Sequence, residues 1–486
     1  MTPEDAAKKP SDLLRVSLSG FVVPAHVRPG FNRTWTLQVV SDMWQPQNCD
    51  SVDIRVSTSP ADYSDLVSVE CDEASRFSLR VAQEVPLLSF SFTLFLDAVV
   101  TGCFVLPLRL GPITVSMQPP RPLPPAPWSR VLPLRCLGAP LCIHEAQDVS
   151  STIASSTWDP GVLMAAFLTE RASSAAGHAF SASDSILPAV CQPVEQLAEA
   201  PAEAPAVSAS QQPPQPLRCI EVGCGCGVAG LALAAALPDA RVVLTDGDAR
   251  ACALARHNAH SNRLSERVTA AELRWSATGH SRAEIASLCD AIGGPPNLIL
   301  AADVVYSEES FPALVGTLAA LCDAAKSAPA AKAAPAAKAA PAVRSAAPAA
   351  EVLFAYRPRI EQDAHFFHLL SEEFELSTLL PPKEATNLLR SALGPRRETS
   401  CETHMETHMD VETNADGGSA RAHSNGQCTS YRLHGPCMIF RLRRREVRVP
   451  SSCRACQQKR VAKSLSGQGL SAAAAAIALR VAARAG

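Results

Sequence analysis

The sequence predicts an α/β protein built around a parallel sheet, with a separate β-rich, sandwich-like domain in front of it. Three observations carry that reading. The first 117 residues contain a series of short apolar-alternating runs separated by turn formers. A proline-dense stretch follows, and beyond it apolar strand-like runs alternate with helix-like ones, the pattern of right-handed βαβ units.

The β-like runs are LLRVSLSGFVV, TWTLQVV, SVDIRV, FSLRVA, LSFSFTLFL and GPITVSM. Leu87 to Leu108 is apolar enough to suggest a membrane span. Yet Phe90, Phe92, Leu94 and Leu96 alternate with Ser89, Ser91, Thr93 and Phe95, and Asp97 interrupts the run. Period two with small polar residues on one face is a half-buried strand. No catalytic constellation appears in this part, so it reads as a β-rich domain of unknown role over 1–117. QPPRPLPPAPW has six prolines in eleven residues and reads as a stiff linker over 118–130.

From 131 to 445 the texture is α/β. LCIHEA reads as a strand and TWDPGVLMAAFLTE as a helix start. Then come LRCIEV (β), VAGLALAAAL (α), ARVVLTD (β), ARACALARHNAHSN (α), a β-like LRW, SRAEIASLCDAI (α), NLILAADVVY (β), FPALVGTLAALCDAA (α), VLFAYRP (β), AHFFHLLSEE (α), FELSTL (β) and CMIFRLR (β). Low-complexity inserts are expected at 172–217, 326–350 and 385–430. The second is a tandem AAPAAK-type repeat whose prolines break helices.

Composition narrows the classes. The net charge of −3 over 486 residues excludes a global field toward nucleic acid or membrane. Charge is uneven, however: from Arg441 onward there are 11 basic residues against the single acid Glu446. The basic, Ala-rich tail over 446–486 leaves open a solvated tail, a nuclear signal, or contact with an acidic or RNA-containing partner. The opening MTPEDAAKKPSD lacks an apolar h-region, so no secretory signal is expected, and the 17 cysteines read as reduced thiols in a cytoplasmic or nuclear protein. No membrane association and no metal are expected. The tail's Cys453 and Cys456 form a lone CxxC, and Cys401, His404 and His408 fall in a duplicated ETHMETHM; both read as non-metal sequence.

The chemistry concentrates in Glu221-Val-Gly223-Cys-Gly225-Cys-Gly227-Val-Ala-Gly230. The glycines let backbone approach a ligand, and Asp246, at the end of the next strand, is the acid expected to accept from ribose hydroxyls. These features alone fit either a dinucleotide or another adenosyl cofactor. Glu221 separates them, because a carboxylate beside the turn repels a pyrophosphate and suits a cationic sulfonium ligand carrying an ammonium group. The Ala302-Asp303-Val-Val-Tyr306 stretch closes the fourth strand.

Taken in order, Trp158-Asp159, the ExGxGxG turn, Asp246, LRW and AADVVY resemble methyltransferase family 16. This is a group of Rossmann-like, seven-strand S-adenosylmethionine-dependent enzymes whose best-known members methylate protein lysines. FAYRPR followed by HFFHLL is also similar to that family's flanking motifs. The resemblance spans roughly 131–182, 217–326, 351–385 and 430–445. It departs at Cys224 and Cys226, where small residues such as Ala and Thr are usual, and at Asn297, where Asp is usual.

The resemblance implies S-adenosylmethionine as cofactor. Gly223, Gly225 and Gly227 would pass beneath it, with Glu221 at its amino-acid part, Asp246 at the ribose, Trp275 by the adenine and Trp158 over the methionine side; Ala302 would also touch it. Asp303 and Tyr306 would line the acceptor channel as catalytic residues, Asp303 aligning a lysine amine of a protein substrate. Methylation of another nucleophile, such as a histidine or a small amine, stays open. So does a non-catalytic adaptor that keeps the fold. An NAD oxidoreductase is disfavoured by the absence of a hydride-transfer constellation.

Overall fold

In a computed structural model of the chain, the described residues are 13–19, 23–47, 52–72, 75–85, 89–100, 103–118, 125–146, 153–177, 216–327, 350–359, 362–393 and 436–445. Two units are distinguished. One comprises Met1–Ser151, Ser155–Thr157 and Leu389–Ser430; the other Thr152–Ala154, Trp158–Leu388 and Tyr431–Gly486. The tail motifs, the ETHMETHM duplication and most of each insert lie outside the described residues.

The first unit holds eleven strands among its described residues: β1 (Leu13–Ser19), β2 (His26–Val27), β3 (Asn32–Val40), β4 (Val52–Ser59), β5 (Val67–Cys71), β6 (Arg76–Val81), β7 (Ser89–Val100), β8 (Phe104–Leu106), β9 (Leu108–Ser116), β10 (Trp128–Leu132) and β11 (Leu141–His144). They form a sheet in the order β5-β6-β3-β1-β8 and another in the order β11-β10-β9-β7-β4, with β2 beside β9. Alternation sets which face turns inward. Trp35, Leu37 and Val39 of β3 and Phe77 and Leu79 of β6 share one core with Phe90, Phe92, Leu94 and Leu96 of β7 and Leu108, Leu110, Ile113 and Val115 of the β9 region. The apolar run at 87–108 is therefore β7 and its surroundings. Among the described residues, no helix is long and apolar enough to cross a membrane.

The N-terminal sheet extends further along the chain than the expected boundary at 117. Trp128, Ser129 and Arg130 pair with Leu110, Arg109 and Leu108, and β11 pairs with β10. The expected linker over 118–130 thus ends inside a strand, and LCIHEA is an edge strand of this unit. The prolines stop at Pro127, which lets Trp128–Leu132 offer its N–H groups to the ladder. Arg130 anchors the addition. Fully buried, it donates to Glu145 Oε2 (2.8 Å) and to the Val16 carbonyl (2.5 Å), and its guanidinium lies 5.7 and 5.4 Å from the Trp44 and Trp128 rings.

The second unit carries a seven-stranded sheet of β12 (Arg218–Val222), β13 (Arg241–Asp246), β14 (Val268–Glu272), β15 (Leu298–Ala302), β16 (Glu351–Tyr356), β17 (Phe374–Leu380) and β18 (Met438–Arg444). The order is β14-β13-β12-β15-β16-β18-β17, parallel except for β18, which runs antiparallel to both neighbours. The parallel strands are those expected from the alternation, and the sheet is Rossmann-like, as the family resemblance implies. Its helices are α1 (Asp159–Gly177), α2 (Val228–Ala236), α3 (Ala249–Ser261), α4 (Arg282–Ala291), α5 (Phe311–Ser327) and α6 (Asp363–Glu373), while α7 (Pro382–Leu393) is divided between the two units at Leu389.

Local chemistry explains the helix starts. Asp248 caps α3 by accepting from the Arg250 N–H (2.8 Å), and Ser281 with Glu284 forms a capping box on α4. Two elements differ from expectation. The third strand is VTAAE rather than LRW, because backbone pairing to Val242–Asp246 overrides its small side chains. The insert expected from 385 begins instead with α7, whose Ala385, Leu389, Ala392 and Leu393 form one buried face at helical spacing.

Strand order reverses direction at β12, which has β13 on one side and β15 on the other. In an open parallel sheet the crevice beyond the carboxyl ends of such strands is where ligands bind. The Gly-rich turn, Asp246 and Ala302–Asp303 all sit at those ends.

Candidate functional site

The turn after β12 runs through Gly223, Gly225 and Gly227 with φ of +65°, +53° and +84°. Gly223 shows why a side chain is excluded. A Cβ there would lie 2.7 Å from Val304 Cγ1 and 3.0 Å from Trp275 Cζ2, so β-carbon-free backbone is wedged between the segments following β15 and β14. Cys224 and Cys226 are buried in the turn; the Cys224 N–H donates to the Thr245 carbonyl (2.8 Å), and Asn258 Nδ2 donates to the Cys226 carbonyl (2.9 Å). Burial and the nearby Glu221 push the Cys224 thiol well up, which keeps it protonated.

Glu221 lies beneath the turn and is 2% exposed. Its Oε2 accepts from the Gly230 N–H in the first turn of α2 (2.8 Å), an approach left open by the missing Gly230 side chain. Burial outweighs that hydrogen bond and pushes its carboxyl up to about 8. Asp246 ends β13. Its Oδ2 accepts from the Gly225 N–H and its Oδ1 from the Asp248 N–H, both at 3.0 Å, and burial raises its carboxyl too. A carboxylate has about four acceptor positions, so hydroxyl donors can be added to these two contacts.

Trp275 and Tyr306 stand together with ring centroids 6.0 Å apart, and Tyr306 is 47% exposed. Ala302 is the last residue of β15, in register with Ala355 of β16. Asp303 follows with a left-handed φ of +56°, its N–H donating to the Ala355 carbonyl (3.0 Å). A non-glycine residue in that region is uncommon and clusters at functional sites. Trp158 is half-buried, and its Nε1 donates to the Ile153 carbonyl (2.9 Å). The adjacent Ala154 carbonyl would meet a Gly225 Cβ at 2.8 Å, so Ala154 flanks the turn.

Sequence reasoning missed the side chains that tie these parts together. Arg359 donates through Nε to Asp303 Oδ1 (2.8 Å) and through Nη2 to Oδ2 (2.5 Å), while its guanidinium lies 5.0 Å from the Trp158 ring centroid. Arg357 pairs with Asp159 Oδ2 (2.5 Å) in a buried contact. Asp363 Oδ2 accepts from the Tyr356 hydroxyl (2.6 Å) and the Arg359 N–H (3.0 Å). The signal was the two arginines of YRPR, in a motif noted only for its likeness. Asn297, the departure from family usage, has a structural part: its Oδ1 accepts from the Arg218 N–H (2.8 Å) at the opposite end of β15 from the crevice.

The sequence-predicted site residues lie at or just after the carboxyl ends of β12, β13, β14 and β15, with Trp158 immediately before α1. The donor set fits S-adenosylmethionine. A glycine cradle admits close backbone contact, Asp246 can accept from ribose hydroxyls, and the Glu221 carboxyl, once ionised, complements a cation and opposes a pyrophosphate.

Comparisons with known proteins agree. Residues 139–333 match the family model described as lysine methyltransferase, which is methyltransferase family 16. Two curated relatives are similar over a short stretch: the ribosomal RNA small subunit methyltransferases G of Prochlorococcus marinus (strain MIT 9313), 43% identical over 75 residues, and of Synechococcus sp. (strain CC9902), 42% over 71 residues. The match takes in 15% of this chain in each case, and the chain spans only 30% and 29% of those relatives' length. Similar solved structures include a precorrin-6y C5,15-methyltransferase from Geobacter metallireducens (9% identity, 47% of this chain and 80% of that one, TM-score 0.24) and a Bacillus cereus O-methyltransferase in complex with SAH (15%, 34% and 66%, TM-score 0.22). Scores this low assign nothing by themselves. The ordered motifs and the first four strands of the sheet in chain order fall within residues 139–333, the segment similar to the lysine methyltransferase family, and that likeness indicates S-adenosylmethionine as cofactor.

Proposed function

We propose that the chain is an S-adenosylmethionine-dependent N-methyltransferase whose acceptor is a lysine side chain of a protein. The observation that carries this is the juxtaposition of Asp303 and Tyr306 with the glycine turn through Val304 and Trp275. The lysine description of the matched family supports the choice of acceptor.

When bound, the cofactor supplies an electrophilic methyl group on a sulfonium. In this reading Gly223, Gly225 and Gly227 line its path, Glu221 takes its ammonium end, Asp246 its ribose, and Trp275 its adenine, with Trp158 and Ala302 closing the methionine side. Asp303 and Tyr306 border the acceptor channel and orient the incoming nitrogen. No protein nucleophile is required, because the amine itself attacks; the channel must therefore admit it in its neutral form, although a lysine in water has a pKa of about 10.4. Desolvation by the aromatic walls of Trp275 and Tyr306 favours that form. Holding nitrogen, carbon and sulfur in line supplies the remaining advantage. The basic tail is proposed to meet an acidic or RNA-containing partner in the cytoplasm or nucleus.

The test is incubation with methyl-tritiated S-adenosylmethionine and cell extract, followed by separate protease and ribonuclease digestion of the labelled material. Label released by protease and recovered as methyllysine is expected. Label released by ribonuclease would instead match the chemistry named in the curated relatives and overturn the lysine reading. Cofactor binding without any transfer would favour an adaptor.

A further inference from the structure

We propose that Arg359 is a positioning residue that masks the charge of Asp303, so that this carboxylate does not trap an ammonium at the acceptor end of the site. The inference rests on the methyltransferase reading above and concerns how that site treats its acceptor. The contact is two-pointed and dry: Nε to Oδ1 at 2.8 Å, Nη2 to Oδ2 at 2.5 Å, with side chains only 9% and 7% exposed. It is also held from outside. The Trp158 ring lies under the guanidinium, the Arg359 N–H is fixed by Asp363, and Arg357, two residues earlier, is locked to Asp159. Three separate anchors on three consecutive residues are more than one ion pair requires.

The charge arithmetic gives the arrangement its purpose. A buried carboxylate left alone beside the acceptor channel stabilises an incoming ammonium and raises its pKa, which opposes the neutral amine needed for attack. A planar guanidinium bound in two places cancels that charge while keeping the carboxylate oriented. Asp303 paired in this way does not act as a cation trap.

The test uses two cofactor analogues that need no acceptor: S-adenosylhomocysteine, and sinefungin, in which a primary amine on carbon replaces the sulfonium methyl. Protonated sinefungin places an ammonium where the methyl is handed over. Dissociation constants of both are measured by calorimetry on the full chain. For Arg359→Gln, sinefungin is expected to tighten about tenfold relative to S-adenosylhomocysteine, equivalent to ~1.4 kcal/mol. For Asp303→Asn, which leaves the guanidinium unmatched, it is expected to weaken by a similar factor, and the double variant is expected to restore the wild-type ratio. A merely bracing role shifts both ligands alike. Ratios that stay unchanged, or that move in the same direction in the two single variants, overturn the proposal. The isosteric Asp303→Asn variant decides alone if Arg359→Gln does not fold. Wild-type protein that binds neither analogue removes the methyltransferase reading itself, and this inference with it.

Discussion

Glu221 makes the stability of the cofactor-free protein depend on pH in an unusual direction. In the folded chain burial holds its proton up to about pH 8, whereas unfolded glutamate releases it near 4.3. Between those values the native state binds the extra proton, so stability falls as pH rises. The contribution is intact below the unfolded pKa and is lost by the time pH has passed the folded one. From pH 6 to pH 8 linkage gives a loss of about 2.3 kcal/mol. Urea denaturation of the cofactor-free protein at pH 6, 7 and 8, wild type beside Glu221→Gln, isolates the effect: the variant lacks this slope, and the difference between the two is expected to change by about 2 kcal/mol over the interval. The same carboxyl must ionise to meet a cationic ligand. Cofactor binding at pH 6–7 is therefore expected to release close to one proton, read by calorimetry in two buffers of different ionisation enthalpy. Parallel urea slopes for wild type and variant would refute the argument from burial.

Two further substitutions probe the frame of the site. Gly223→Ala places a Cβ 2.7 Å from Val304 Cγ1 at φ +65°, which forces either the turn or the Val304–Trp275 wall to move. S-adenosylhomocysteine affinity is expected to drop at least about tenfold, with about 1–2 kcal/mol of backbone strain added, as measured by calorimetry and by urea midpoint. Asn297→Asp turns the side-chain donor that faces the Pro216 carbonyl (3.4 Å) into a carboxylate, and is expected to cost about 1–2 kcal/mol in the urea midpoint while leaving ligand affinity within about twofold. An affinity loss as large as that of Gly223→Ala would show that the far end of β15 is coupled to the crevice.

The core of the sheet was legible because its strands are continuous apolar runs ending at recognisable punctuation. LRCIEV stops at glycine, ARVVLTD at Asp246 and NLILAA at Asp303, and the same residues mark the crevice. VTAAE was not legible, since small side chains carry little periodic signal and the strand exists through its partner β13. Trp128–Leu132 was hidden by the prolines before it. The Asp303–Arg359 and Asp159–Arg357 pairs join residues 56 and 198 positions apart. The pattern shows each charge but not its partner, because the crossover topology decides which loops meet. Asp303, expected from its motif position to align the acceptor amine, is half of an ion pair with Arg359.

The place of β18 has a consequence for synthesis. Met438–Arg444 lies between β16 and β17, although it follows both in the chain. Until ribosomes have delivered residue 444, β17 has no neighbour in the sheet and β16 keeps a bare edge. The last strand is thus the wedge that finishes the sheet, and chains ending before Met438 would emerge with two exposed ladders, the feature that invites pairing with other nascent chains.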